Sequence, residues 1–366
     1  VAEILDEYRT FLDEALPVGY DGSAREFRED EPLRRAFQAA SFDNGWLVPE
    51  WPRDLGGRDL PLPHALAIRI EGARRQIPRQ MNIQATGVVA PAIRQFGTVE
   101  QQARYLRPTL RGEAWWALGM SEPESGSDLA SLRTTAVRTG ENFVVNGQKI
   151  WTTQADGSRW CTLYVRTDAT LPKHKGITCL LLDMETPGIT VRPIPTAGPS
   201  VEAFCEVFLD NVVVPASDVL GEVNGGWRIA MASLEHERDM IWINNWLEMQ
   251  RALDPVLTRS VEPHQLDRLG RLLGDMEGVR LTGLRSVAHR AAGTDSPIGT
   301  LLKLFGSEAV QRATSFALET AGSDGAARAS AFDDYLESLA ATIYGGTSEV
   351  QRNIIAERVL GLPKGS

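Results

Sequence analysis

Cysteine is scarce in this sequence: Cys161, Cys179 and Cys205 are three in 366 residues, an odd number with no CxxC pair. That excludes a disulfide framework and a cysteine-based zinc cluster, and it suits a reducing cytoplasm. Histidine is nearly as rare. His64, His174, His236, His264 and His289 show neither H-x-x-x-H nor HExxH spacing, so no metal centre is expected. A basic block is missing too. The 38 Lys plus Arg stand against 48 Asp plus Glu, a net charge of −10, which disfavours binding to a phosphate backbone and with it nucleic acid. Apolar runs such as Ile177–Leu182 fall far short of the ~20 residues a membrane span needs. No GxSxG elbow, P-loop or GxGxxG after a strand occurs. The N-terminal stretch VAEILDEYRTFLDEAL is amphipathic and acidic, unlike a signal or transit peptide, so a cytoplasmic protein is expected.

What is present is an ordinary globular balance, 43% apolar and 23% charged. Ile4, Tyr8, Phe11 and Leu12 repeat at helix spacing, and Leu33, Phe37 and Phe42 do so less regularly. Short runs rich in β-branched and aromatic residues follow: Phe143–Val145, Trp160–Val165, Ile177–Leu182 and Val207–Val214. The pairs Thr139–Gly140, Asn146–Gly147 and Pro187–Gly188 read as turns between them, Asn146–Gly147 as a hairpin signal. Helical periodicity returns in segments starting near Gly226, Gln265, Gly299 and Thr347. The expected architecture is mainly α with a central β module: helices over 1–112, strands over 113–220 and a helical bundle over 221–366.

Four segments could carry chemistry. Gly119–Ser131 (GMSEPESGSDLAS) is rich in small residues, hydroxyls and free N–H groups, suited to a polar, planar or phosphorylated ligand or simply to a surface turn. Lys149–Thr153 (KIWTT) puts a Trp between potential donors, either a wall for a flat heterocycle or a cross-strand aromatic. Ile343–Arg352 (IYGGTSEVQR) opens a helix whose N-terminus can meet an anion or a carbonyl oxygen, or merely follow a turn. In Gly225–Ile241 the stripe Ala230, Leu234, Glu237 and Ile241 places Glu237 on a semi-apolar face. Burial there would raise its pKa and suit it to proton abstraction; a boundary carboxylate paired with a base is the alternative.

Together these segments resemble the acyl-CoA dehydrogenase flavoproteins, nearly end to end. The resemblance runs through Trp51–Arg58 (WPRDLGGR), Gly119–Ser131, Trp151–Thr153, Phe208–Val214 with Pro215, Asn224–Trp227 and Tyr344–Arg352. It implies a three-domain fold with a helical N-terminal domain, a β-barrel-like middle domain and a C-terminal four-helix bundle. It also implies FAD-dependent conversion of an acyl-CoA thioester to the trans-2-enoyl-CoA, with electrons passed to an electron-transferring flavoprotein. Carried onto this chain, the cofactor residues are Met120, Ser121, Trp151, Thr153, Glu319, Gly322, Ser323, Thr347 and Glu349. Ser127, Leu234 and Tyr344 would meet the substrate, and the N–H of Gly345 would hold the thioester oxygen. The resemblance implies a homotetramer, or a heterotetramer with a paralogous subunit.

Departures redirect the reading. Most of the family carries its glutamate directly after the closing tyrosine, where this chain has Gly345. A smaller branch places the base on the first bundle helix in an L-x-x-ER pattern, which Leu234, Glu237 and Arg238 match. The family's R-x-x-FG segment is missing between Arg251 and Gln265, and Ala326 stands where a large apolar residue is expected after Glu319, Gly322, Ser323 and Gly325. Glu319 is then expected to face the cofactor diphosphate with no cation nearby. Both losses resemble actinobacterial dehydrogenases that pair two unlike chains and act on steroid or other bulky thioesters. A flavin oxidase or monooxygenase on the same scaffold, and a non-catalytic half-site subunit, are the competing readings.

Overall fold

A computed structural model of the chain describes residues 1–20, 30–197, 203–259, 261–294, 298–326 and 330–363; the side chains of 234–240, 323–326 and 330 are outside the described set. The chain divides into two compact units, one of Val1–Thr196 with Val201–His236 and one of Ala197–Ser200 with Glu237–Ser366.

The first unit opens with helices α1 (Ala2–Ala15), α2 (Glu31–Asp43), α3 (Leu62–Arg74), α4 (Ala90–Phe96) and α5 (Val99–Leu110). Tyr8, Phe11 and Leu12 are buried as their spacing requires, packing with Phe37, Trp46 and Ile68. Asp30 caps α2 through the Leu33 N–H, and Thr98 and Gln101 close a reciprocal capping box on α5. A buried π-helical turn, Ala85–Val89, precedes α4.

Eight strands follow: β1 (Trp116–Gly119), β2 (Thr135–Thr139), β3 (Asn142–Thr153), β4 (Trp160–Arg166), β5 (Ile177–Asp183), β6 (Ile189–Ile194), β7 (Phe204–Pro215) and β8 (Val219–Leu220). They form one sheet in the order β6-β7-β3-β2-β4-β5-β8, with β1 parallel to β4. Val191 of β6 and Val219 of β8 come from opposite ends of that order yet share one apolar cluster with Phe143, Leu163 and Leu180. The sheet therefore closes around a common core, the barrel-like form expected. Along β4 the pleat alternates: Cys161, Leu163 and Val165 enter this core, while Tyr164 joins a second cluster with Trp116 of β1 and with Tyr105 and Ile93 from the helices.

One expectation fails here. Asn146–Gly147 is no hairpin but lies inside β3, where the register with β7 shifts between Val145 and Gly147. Gly147 passes so close to Thr134 that a Cβ would sit 2.5 Å from its hydroxyl oxygen, so glycine serves close approach rather than a turn. The β2–β3 hairpin turns at Thr139–Gly140, with Gly140 at φ +61°. Strands β1, β2, β6 and β8 were also unmarked in the sequence: β1 and β8 are only four and two residues long, β2 buries a single residue, Ala136, and β6 is interrupted by Pro193.

The bundle helices are α6 (Gly226–Leu257), α7 (Pro263–Ala291), α8 (Ile298–Ala326), α9 (Ser330–Ala341) and α10 (Ser348–Ile354). Four of the five begin within two residues of the expected starts. Helix α9 was not anticipated. Gly322, at φ +58° and ψ −136°, breaks α8 near its end. Trp242 is fully buried, and a Cβ at Gly283 of α7 would lie 2.1 Å from its ring.

Candidate active site

In the first unit, the Met120–Ser121 segment lies against β3 just before Trp151. Ile150 N–H donates to the Ser121 carbonyl at 3.0 Å. Lys149, with no exposed surface, sends its Nζ to the Met120 carbonyl at 3.1 Å and to Glu122 Oε1 at 2.8 Å. Glu122 also accepts the backbone N–H groups of Arg133 (2.6 Å) and Thr134 (2.9 Å). Burial alone would raise the Glu122 pKa, but the Lys149 ammonium and these donors hold its carboxyl below the usual range. Lys149 is pushed down by burial against the pull of Glu122. We read the pair as ionised, because every Glu122 oxygen is matched by a donor. This link was missed in the sequence, where Lys149 stands among the polar residues Asn146, Gln148, Thr152 and Thr153 of the same strand and nothing local marks it as buried.

The pair holds one polar loop against one strand, and the strand then does something unusual. Between Lys149 and Thr152 the register with β7 slips by one residue, a β-bulge. Trp151 sits in it at φ +58°, a conformation rare for a bulky residue. Its indole is 56% exposed, with one edge contact to Phe204 at 6.2 Å between ring centroids. The flanking Thr152 and Thr153 are buried, and Thr152 Oγ1 has no partner among the described residues. Backbone strain held at an exposed residue is a feature that clusters at functional positions. Met120, Ser121, Trp151 and Thr153 are thus brought together, while Ser127 lies exposed in the turn beyond, next to Asp128, which Lys173 holds at 2.8 Å.

In the second unit, Tyr344, Gly345, Thr347 and Glu349 share the closing turn. Gly345 and Gly346 take φ +65° and +97°. Thr347 caps α10 through the Val350 N–H at 3.3 Å, and Gln351, fully buried, donates to the Gly345 and Gly346 carbonyls at 3.2 and 3.4 Å. A cavity of about 460 Å³ opens beside the turn, lined by Glu308, Gln311, Thr347, Ser348 and Glu349 among others. The Ser348 hydroxyl there is buried without a partner among the described residues. Hydrogen bonding to its own N–H and to Thr347 keeps the Glu349 carboxyl below its usual range.

Glu319 stands apart from that turn, and the expectation about it is corrected. It is not a lone anion: Arg268 of α7 grips both its oxygens, at 2.5 and 3.1 Å, and Ser315 donates a third bond at 3.1 Å. The cation comes from 51 residues away in the sequence, on α7, three residues beyond Gln265. Gly322 is the break in α8. The side chains of Leu234, Glu237, Arg238 and Ser323 lie outside the described residues; the backbone of 234–238 is helical within α6. Trp242 and Trp246 are buried core residues.

Family models described as the N-terminal, middle and C-terminal domains of acyl-CoA dehydrogenase match residues 2–113, 117–212 and 224–360. Acyl-CoA dehydrogenase IpdE1 of Mycobacterium tuberculosis is 35% identical over 361 residues, 94% of this chain and 92% of that protein. The chain belongs to the acyl-CoA dehydrogenase family. Acyl-CoA dehydrogenase FadE34 of the same species is 39% identical over 332 residues, covering 89% of this chain and 46% of that protein. The chain therefore spans less than half the length of that relative. A solved structure described as Tcur3481-Tcur3483 steroid ACAD covers 100% of this chain and 98% of its own, with a TM-score of 0.84 and 26% identity. The three-domain acyl-CoA dehydrogenase fold and the enzyme class follow from membership. Among the described residues, no helix is long and apolar enough to cross a membrane, and no cluster of His, Cys, Asp or Glu could hold a metal ion.

The family implies a flavin, and the residues present fit one. An exposed indole held in a strained bulge offers a face to a flat ring system. In the first unit, the Thr152 hydroxyl behind that indole is buried without a partner among the described residues, a donor left over for such a ring's polar edge.

Proposed function

We propose that this chain carries out FAD-dependent α,β-dehydrogenation of an acyl-CoA thioester, giving the trans-2-enoyl-CoA. The observation that carries the reading is the Trp151 bulge, locked to the Met120–Ser121 loop by the buried Lys149–Glu122 pair, in a chain of this family. Met120, Ser121, Trp151 and Thr153 hold the isoalloxazine, and Thr347, Glu349, Glu319, Gly322 and Ser323 serve the rest of the dinucleotide. When bound, FAD supplies the two-electron acceptor for the hydride that leaves the β-carbon.

Glu237 removes the α-proton, and Arg238, the next residue of the L-x-x-ER pattern, belongs with it to the catalytic set. An α-proton is too weakly acidic for a carboxylate unless the thioester oxygen is stabilised as charge develops on it. The Gly345 N–H supplies that donor. Among the described residues it has no acceptor, and its positive φ turns it away from the helix ladder. Leu234 and Tyr344 meet the acyl part and Ser127 the CoA arm.

The acyl group we propose is bulky, steroid or otherwise ring-bearing, in keeping with the solved steroid ACAD. That structure is named for two components, and the R-x-x-FG segment is missing here. We therefore infer assembly with a paralogous subunit rather than with identical copies alone, and an electron-transferring flavoprotein as electron acceptor.

Glu237→Gln keeps the shape and removes the proton-accepting charge. Flavin content should be retained while anaerobic bleaching by acyl-CoA slows by about 10²–10⁴-fold. Near-normal bleaching would show that another group takes the proton.

A further inference from the structure

We propose that Lys303 is a positioning residue for the reaction, acting through the Tyr344–Gly346 turn. Lys303 stands on α8 in an apolar run, Leu301–Phe305, and has no exposed surface. A buried ammonium is costly to desolvate unless its protons are placed on acceptors, so a lysine in an apolar run needs a reason other than packing. Its Nζ donates to the carbonyl of Ala341, the last residue of α9, at 3.1 Å, and lies 6.0 Å from the centre of the Tyr344 ring. A cation at a helix C-terminus is favoured by the carbonyl dipoles gathered there.

Five carbonyls in and beside the turn, those of Ala340, Ala341, Thr342, Gly345 and Gly346, accept hydrogen bonds. Ala340 accepts from the N–H groups of Ile343 and Tyr344 at 2.9 and 3.1 Å. Ala341 accepts from Lys303, Thr342 from the Ser348 N–H at 3.0 Å, and Gly345 and Gly346 from Gln351. Gln311, two turns along α8 from Lys303, adds bonds to Ser338, Leu339 and the Thr342 hydroxyl at 3.2, 3.3 and 3.1 Å. With acceptors held on both sides of the Tyr344–Gly345 peptide, the turn has little freedom to rotate about it. Helix α8 thus anchors the donor from behind: Lys303 sets where α9 ends, and that sets the peptide plane of residue 345.

The inference rests on the reading of Gly345 as the thioester-oxygen donor, so the test separates the two. The holoenzyme, with its partner subunit if one is needed, is loaded with an enoyl-CoA labelled at the thioester carbonyl, and the carbonyl stretch is read by difference infrared spectroscopy. Flavin reduction is followed in parallel over a range of acyl-CoA. In Lys303→Met the carbonyl band should move back toward its free position. Reduction at saturating substrate should slow about 10–100-fold, with half-saturation changing less than about threefold. Lys303→Gln, which keeps a donor without the charge, should restore part of both. A wild type that no acyl-CoA bleaches would sink the dehydrogenase reading itself. A wild type that bleaches beside a Met variant with unchanged band and rate would overturn this inference alone. Should the Met variant not fold, Gln311→Leu removes the neighbouring anchor and must shift the band in the same direction; no shift overturns the proposal.

Discussion

At the scale of single residues, the Lys149–Glu122 pair is the most demanding feature of the first unit. Removing one partner leaves the other charge buried, so Lys149→Met should cost about 3–5 kcal/mol, read by denaturant unfolding. Lys149→Met combined with Glu122→Gln should cost less than the lysine change alone, because no bare charge remains. The pH dependence has a definite sign. The folded Glu122 pKa is depressed, so the contribution is complete above the unfolded value of about 4.3 and is lost as pH falls through the folded value. The stability gap between wild type and Glu122→Gln should be level from pH 7 to about 5 and shrink below about pH 4. A gap that widens in acid would contradict the ionised pair.

Elements show where backbone strain is spent. Trp151 holds a left-handed conformation inside a strand while its side chain gains little packing. Trp151→Gly should leave unfolding stability within about 1 kcal/mol, since the relieved strain offsets the lost ring contact. Flavin retention on gel filtration should fall sharply. Loss of stability with flavin fully kept would make the Trp a structural residue only. In the bundle, α6 and α7 meet ring against backbone, with the Trp242 indole seated on Gly283. Gly283→Ala forces that ring aside in a filled core and should destabilise by about 1–3 kcal/mol despite the better helix propensity of alanine.

For the whole molecule, closure of the sheet makes the three thiols reporters of its integrity. Cys161, Cys179 and Cys205 are buried, and burial pushes the Cys161 thiol up to about 12 and Cys179 higher still. Native protein should therefore react with no aromatic disulfide reagent over hours and release three equivalents on unfolding. Fast labelling of the native chain would mean that the sheet opens. Assembly is judged by flavin stoichiometry. Arg268 neutralises Glu319, which removes the repulsion that would have barred a symmetric copy from serving the diphosphate. The case for an unlike partner therefore rests on the missing R-x-x-FG segment and on the two-component solved structure. Co-expression with a paralogous subunit should yield a heteromer with fewer flavins than chains. A homotetramer with one tight FAD per chain would refute that.

Sequence alone determined the helix, strand, helix order, because periods of 3.6 and 2 are local properties that Tyr8, Phe11 and Leu12, or Trp160–Val165, display without any partner. It also determined the family, since motifs such as WPRDLGGR and IYGGTSEVQR keep their order along the chain. What lies in long-range pairing was not legible. Asn146–Gly147 has the chemistry of a hairpin, and only its pairing with β7 and the nearness of Thr134 make it part of a continuous strand. The KIWTT segment leaves Trp151 open between a ring wall and a cross-strand aromatic, and the bulge that exposes it is set by pairing with β7. Lys149 and Glu122 are 27 residues apart and Arg268 and Glu319 are 51 apart, so nothing local marks either pair. Charges meet through the packing of separate elements, and packing is decided by the buried surfaces of the whole unit rather than by the residues beside them in the chain.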